Sequence, residues 1–285
     1  MENDTQKKKK FSNPQLDVIE ELTAKLIKAN DRLNTVEKER TMMLENISHD
    51  LRAPLTAIRS CTDYLKNMCD DYEKNNSAVS VEELKKITHL LDARTKNMEV
   101  LVKDLYYLTC LDNGKDDMHF ENVPLAQFLE EYFYAVEIDE KYSRRKLQLE
   151  VDDNMECIVK IDVGCMTRVF DNLFTNARKY SYDGDSIVLG AYIASDDELK
   201  EFTLSMDRYV VIYVRDTGIG IEEKYLKKIF DRTFMISDAR TPSDSNGSGL
   251  GLAIVDSIVK RHNGCIICTS KVGVGSCFKI YLKEI

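Results

Sequence analysis

The sequence predicts a two-part chain: an all-α helical hairpin that pairs with a second copy into a dimeric four-helix bundle, followed by an α+β domain. Three observations carry this. The 285 residues suffice for about two domains. Apolar residues step by three and four from Ile19 through Leu108. From about position 115 the pattern changes to short alternating or apolar runs between helical stretches. The expected divisions are 1–40 for a tail and signalling coiled-coil helix, 41–114 for the hairpin, and 115–285 for the α+β domain.

The first helical pattern runs Ile19, Leu22, Leu26, Ala29, Leu33, Val36, Arg40, Met43 and Ile47, a heptad seam with one polar interruption. Leu51, Leu55, Ile58 and Leu65 continue the stripe, with a second four-residue step that shifts its phase. Pro54 lacks an N–H and crowds the carbonyl four residues back, so a bend or local loosening is expected there, one turn after His49 and Asp50. A second helix opens at the capping box Ser80/Glu83 and carries the seam Leu84, Ile87, Leu91, Arg94, Met98, Leu101, Leu105 and Leu108. "DNG" at 112–114 supplies the stop. One such hairpin leaves much of each stripe wet, and two copies forming a bundle resolve this, so a homodimer is expected.

Composition narrows the function. Forty basic against 49 acidic side chains give a net charge of −9, which does not indicate attraction to nucleic acid. No apolar run approaches the roughly 18 residues of a membrane span, and "MENDTQKKKK" lacks the apolar segment of a secretory signal. The chain reads as cytoplasmic, and its tetralysine fits a solvated start, an expression scar or the juxtamembrane remnant of a membrane-anchored sensor. Eight cysteines show no metal spacing. Cys265 and Cys268, three apart in a strand, should face opposite sides and stay reduced.

In the second half, strands are expected at "KLQLEV", "CIVKI", "DSIVLGAYI", "RYVVIYV", "CIICTS" and "CFKIYL". "VVIYVRDTGIGI" delivers Asp216 from a strand into a turn where Gly218 and Gly220 permit close approaches. A buried carboxylate accepts hydrogen bonds only, so it favours a ligand amine such as the 6-amino group of adenine over guanine's carbonyl. In "NGSGLGLAIV" Gly247, Gly249, Leu250 and Gly251 lead into an apolar helix whose free N–H groups can face a phosphate. "VFDNLFTNARKYS" puts Asn172 and Asn176 on one helix face, with Lys179 beyond them and Tyr180 placed to flank a base. Two amides suit Mg²⁺ that keeps water and phosphate as its other ligands. The polar loop at 238–249 reads as a lid. No Walker loop, dinucleotide fingerprint or protein-kinase set occurs.

Taken together, the chain resembles the cytoplasmic core of a sensor histidine kinase of two-component systems. "SHDLRAPLTAI" is similar to the family's H box, "NLFTNARKYS" to its N box, "DTGIGI" and "GSGLGLAIV" to its glycine boxes, and "GVGSCF" to its terminal motif, over residues 41–285. The resemblance implies a Bergerat-type ATP-binding domain, an α+β two-layer sandwich, behind a dimeric phosphoacceptor bundle. It implies that Asn176 ligates Mg²⁺ with Asn172 in support, that Lys179 meets phosphate, that Tyr180 borders the base and that Asp216 reads adenine. Gly247, Gly249 and Gly251 would shape the lid hinge and phosphate rim.

By the same resemblance His49 is the phosphoacceptor, and its phosphoryl group passes to an aspartate of a response-regulator receiver domain. A neutral imidazole, with an ordinary pKa of about 6.5, is nucleophilic at cytosolic pH. Asp50 would hold one ring N–H and leave the other nitrogen free to attack. His89, His119 and His262 read as solvated surface. Two positions depart from the family. Ala53 stands where many relatives carry Thr or Asn able to orient water, so weak phosphatase activity is expected. "FDRTF" has Thr233 at a usual aromatic position, leaving Phe230 and Phe234 as docking candidates and Arg232 as a phosphate contact. A Bergerat-type ATPase or ATP-gated module without histidine phosphorylation, and a non-catalytic scaffold, are the competing readings.

Overall fold

The structure is a computed structural model describing residues 14–75, 80–112, 118–152, 155–201, 208–232, 234–236 and 249–285. The chain divides into two compact units, residues 1–50 and 51–285. Of the first, residues 14–50 are helical, part of α1 (Pro14–Asn75), and carry the exposed seam residues Leu22, Leu26 and Leu33. A Glu21–Lys25 ion pair at i and i+4 lies on its surface.

In the second unit α1 continues, and the helix assignment runs through Pro54 without interruption. α2 (Val81–Asp112) begins where Ser80 Oγ accepts a 3.3 Å hydrogen bond from the Glu83 N–H, one half of the expected capping box. Leu51, Ile58 and Leu65 of α1, and Ile87, Leu91, Met98 and Leu101 of α2, are half-buried along the expected stripes. Leu55, Tyr64, Leu84 and Leu90 remain exposed in the single chain.

The α+β part follows in the order β1 (Glu121–Pro124), α3 (Leu125–Glu137), β2 (Lys146–Glu150), β3 (Ile158–Ile161), α4 (Val163–Lys179), β4 (Ser186–Ile193), α5 (Asp196–Glu201), β5 (Tyr209–Asp216), α6 (Gly251–Arg261), β6 (Cys265–Lys271) and β7 (Gly275–Lys283). Five strands form one mixed sheet in the order β2-β4-β5-β7-β6, in which only β2 and β4 run parallel. The short β1 pairs antiparallel with β3 in a separate two-stranded sheet.

The period of two decides which residues reach the core. Val210, Ile212 and Val214 of β5, with Phe278, Ile280 and Leu282 of β7, share one apolar cluster with the buried faces of α3, α4 and α6. Tyr209, Val211 and Tyr281 point to the other face, where they meet Leu199 of α5. This is the expected two-layer arrangement. Cys265 packs on the outer cluster and Cys268 in the main core, so the two thiols face opposite sides, and both are free.

The α2 helix contributes to this same core. Leu108 and Leu111 are buried at 0% and 5% exposure among residues of α3, α4 and α6. Beside them Arg168 of α4 meets Asp104 at 2.7 Å and lies 3.8 Å over the Tyr107 ring. His262 also differs from its solvated reading. It is buried, its Nε2 accepts from the Asp162 N–H at 3.0 Å, and its Nδ1 lies 2.8 Å from the Ile258 carbonyl, which assigns a neutral ring with the proton on Nδ1.

Candidate active site

A cleft of about 250 Å³ opens between α4, the end of β5 and the start of α6. At its base Asp216 closes β5 and is 7% exposed. It accepts a 2.9 Å hydrogen bond from the Gly218 N–H. Burial raises its carboxyl above the usual carboxylate range; hydrogen bonds from the Gly218 and Ser276 N–H groups oppose this and nearby Asp185 adds to it. Gly218 has no room for a Cβ, which would strike the Tyr180 carbonyl. That carbonyl instead accepts from the Ile219 N–H at 2.9 Å, tying the glycine turn to the end of α4. Gly220 takes a φ of 72°, a conformation that favours glycine. Ile219, Ile221, Ile229, Phe234 and Phe278 complete an apolar slot around the carboxylate. A flat heterocycle bearing an amine matches it.

α4 starts where Asp162 Oδ1 accepts from the Cys165 N–H at 2.9 Å. Its buried face, Met166, Val169, Phe170, Leu173, Phe174 and Ala177, fixes its roll on the sheet. The opposite stripe therefore turns Asn172, Asn176, Lys179 and Tyr180 to the cleft wall. The Asn172 amide nitrogen donates to the Arg168 carbonyl at 2.8 Å, leaving its oxygen beside Gly251. No hydrogen bond engages the Asn176 amide among the described residues. Lys179 Nζ stands 5.1 Å from the Tyr180 ring centroid.

No group of three or more His, Cys, Asp and Glu suited to a metal occurs among the described residues. A cation here would thus rest on the Asn176 amide oxygen together with ligand oxygens and water, a donor set that suits Mg²⁺. At the start of α6, Gly249 has a φ of 63° and, with Gly251 and Leu252, borders the cleft. Among the described residues no side chain caps this helix start, which suits the approach of an anion.

Not every expected residue reaches this wall. Leu250 is 1% exposed and packs into the core. Arg232 is half-buried, and the wall near it is built by Phe234, Met235 and Ile236. Phe230 turns inward onto Phe278, with ring centroids 6.4 Å apart. Gly247, Thr233 and the expected lid, apart from Gly249, lie outside the described residues. His49 and Asp50 are on α1, and their side chains also lie outside the description. Val100 and Asp104 of α2, which also border the cleft, and its apolar walls are not among the residues the sequence motifs single out. Ile219, Ile221 and Phe278 had a signal, since they stand inside the quoted boxes.

A family model described as the His Kinase A (phospho-acceptor) domain matches residues 39–114. One described as the histidine kinase-, DNA gyrase B- and HSP90-like ATPase matches residues 161–285. The sensor histidine kinase WalK of Bacillus subtilis is 30% identical over 244 residues, 85% of this chain and 36% of that protein. The sensor protein kinase WalK of Staphylococcus saprophyticus is 33% identical over 251 residues, 87% of this chain and 37% of its own length. The chain thus spans little more than a third of these relatives. Among solved structures, full-length ShkA in complex with AMPPNP superposes with a TM-score of 0.56 at 19% identity, covering 87% of this chain and 46% of that one. The Acinetobacter baumannii histidine kinase AdeS gives 0.53 at 20% identity, covering 82% and 97%. These two share the fold. With a phospho-acceptor segment ahead of an ATPase segment, and relatives matched across both, the chain belongs to the sensor histidine kinases of two-component systems.

Proposed function

We propose that the chain is an ATP-dependent protein-histidine kinase that phosphorylates His49 and passes the group to an aspartate of a response-regulator receiver domain. The observation that carries this reading is the buried Asp216 at the base of an apolar slot, with Asn176, Lys179 and the start of α6 on the same cleft wall. Asp216 accepts from the adenine amine and Tyr180 borders the base. Lys179 and the first N–H groups of α6 meet the phosphates. Asn176 would hold Mg²⁺ with Asn172 behind it, and the bound ion would supply charge neutralisation to the phosphates. His49 attacks the γ-phosphorus in line, a P–N bond forms, the bond to the leaving ADP oxygen breaks, and Asp50 steadies the ring's other nitrogen.

Residues 41–114 are read as the dimerising phosphoacceptor hairpin, supported by the apolar residues that one chain leaves exposed. Residues 115–285 are read as the catalytic domain, and 1–40 as the signalling helix. Relatives named as sensors support reading the chain as the cytoplasmic portion of such a protein. Among the described residues no helix is long and apolar enough to cross a membrane. Ala53 places a methyl group where hydrolysis would need a polar side chain, so phosphatase activity on the regulator is weak.

Incubation with γ-labelled ATP tests the assignment. Alkali-stable, acid-labile protein label that disappears in His49→Gln supports it; free phosphate without protein label would instead favour a Bergerat-type ATPase.

A further inference from the structure

We propose that Arg145 is a positioning residue that sets ATP affinity by locking the end of α4 and the turn after it, although it does not itself border the cleft. The inference rests on the kinase reading above. A helix end leaves carbonyls without intrahelical partners, and the end of α4 must hold still because Lys179 and Tyr180 are its last residue and its cap. Arg145, at the entry to β2, supplies the partners. Its Nη2 donates to the Arg178 carbonyl at 3.2 Å and to the Ser181 carbonyl at 2.8 Å. Its Nε donates to Ser181 Oγ at 2.8 Å, and its Nη1 to Asp183 Oδ1 at 2.7 Å. These four bonds, with a longer one from Nη1 to the Arg144 carbonyl at 3.5 Å, converge on one guanidinium whose side chain is only 11% exposed.

The bracketed segment is the one the cleft depends on. Between the two carbonyls held by Arg145 stands the Tyr180 carbonyl, which takes the Ile219 N–H and seats Gly218 beneath it. The guanidinium thereby fixes, through one short stretch of backbone, both Tyr180 and the turn that carries Asp216. A planar five-donor fork is needed: a lysine would keep the charge and could not reach all four acceptors. The positive charge at a helix C-terminus also opposes the negative end of the dipole. Neighbouring Arg144 offers an internal control, because its side chain is 79% exposed and, among the described residues, its guanidinium meets only Asp183, at 3.2 Å.

The test measures initial rates of His49 labelling against ATP concentration in the full chain, with thermal melting to report the folded fraction. Arg145→Met should raise KM for ATP about tenfold while the rate at saturating ATP stays near wild type, because the clamp acts on binding geometry. Arg145→Lys should fall between, and Arg144→Met should match wild type. If Arg145→Met fails to fold, the Lys variant decides. A rate that falls only in proportion to the folded fraction, with KM unchanged, would reduce Arg145 to a structural role and overturn the inference. Wild-type protein that takes up no label would overturn the kinase reading, a different outcome from labelled wild type with unaltered variants.

Discussion

The Asn172 side-chain oxygen lies 2.6 Å from the point where a Cβ on Gly251 would stand, so the α4 wall of the cleft and the start of α6 meet in direct steric register. α4 and α6 approach this closely only because position 251 has no side chain.

Gly251→Ala should therefore separate stability from binding. Alanine favours a helical position by about 1 kcal/mol over glycine, so the thermal midpoint should hold or rise. The methyl group must push Asn172 aside, and affinity for ATP with Mg²⁺ should fall about tenfold or more. Isothermal titration beside a melting curve checks both directions.

Asp216 sets a second trade. Its folded-state carboxyl titrates above the unfolded one, chiefly through burial, so the folded state binds the proton more tightly. The stability of this group is fully present below the unfolded value near 3.8 and is lost as pH rises through the folded value. At neutral pH the ionised form costs stability, and Asp216→Asn should raise the urea midpoint there, with the gain shrinking at acid pH. The same variant should lose adenine nucleotide affinity by about tenfold or more, since the charged acceptor is gone.

His262 has the opposite sign. Burial lowers its pKa below the ordinary value near 6.5, while its bond to the Ile258 carbonyl and the charge of Asp162 work upward and Arg261 downward. The unfolded chain then binds the extra proton, so stability is lost as pH falls from about 6.5 toward the depressed value. A protonated Nε2 cannot accept from the Asp162 N–H, and Phe120 packs edge-on against the ring at 5.1 Å. Chemical denaturation between pH 7.5 and 5 should show this slope in wild type, and His262→Gln should flatten it.

Leu108 tests the shared core. It is fully buried against the ATPase-like domain, and Leu108→Ala should destabilise the fold by about 2–5 kcal/mol. Lys103→Ala, at an exposed polar position of the same helix, should cost far less. Equilibrium unfolding in urea separates them.

Leu108 also shows where the sequence was legible. Its period placed it on the apolar stripe of α2, and the structure buries the Leu108 end of that stripe while leaving Ile87 to Leu101 half-buried; the period could not say that the last turns pack against α4 and α6. Six strands announced themselves through alternating or apolar runs, four-residue β3 included, whereas β1, "ENVP", has Val123 as its one apolar residue before Pro124 and offers no period to read. Asp216, Asn172, Asn176 and the glycines stood out through company rather than spacing: an Asp-Gly turn after a strand and an Asn pair on a helix are each common, but here they occur together in one family's order. Arg145 did not, since "RRK" before a strand looks like any solvated charge run until the fold brings Ser181 and Asp183 to it. The Val100 and Asp104 side of the cleft was hidden for the same reason, coming from a helix far away in sequence.

The central claim is tested most directly by phosphopeptide mapping at neutral pH after incubation with ATP and Mg²⁺. The account predicts a phosphoryl group on the His49 ring, absent in His49→Gln and strongly reduced in Asn176→Ala. Phosphate mapped to another side chain, or His49 labelled equally without Asn176, would contradict it.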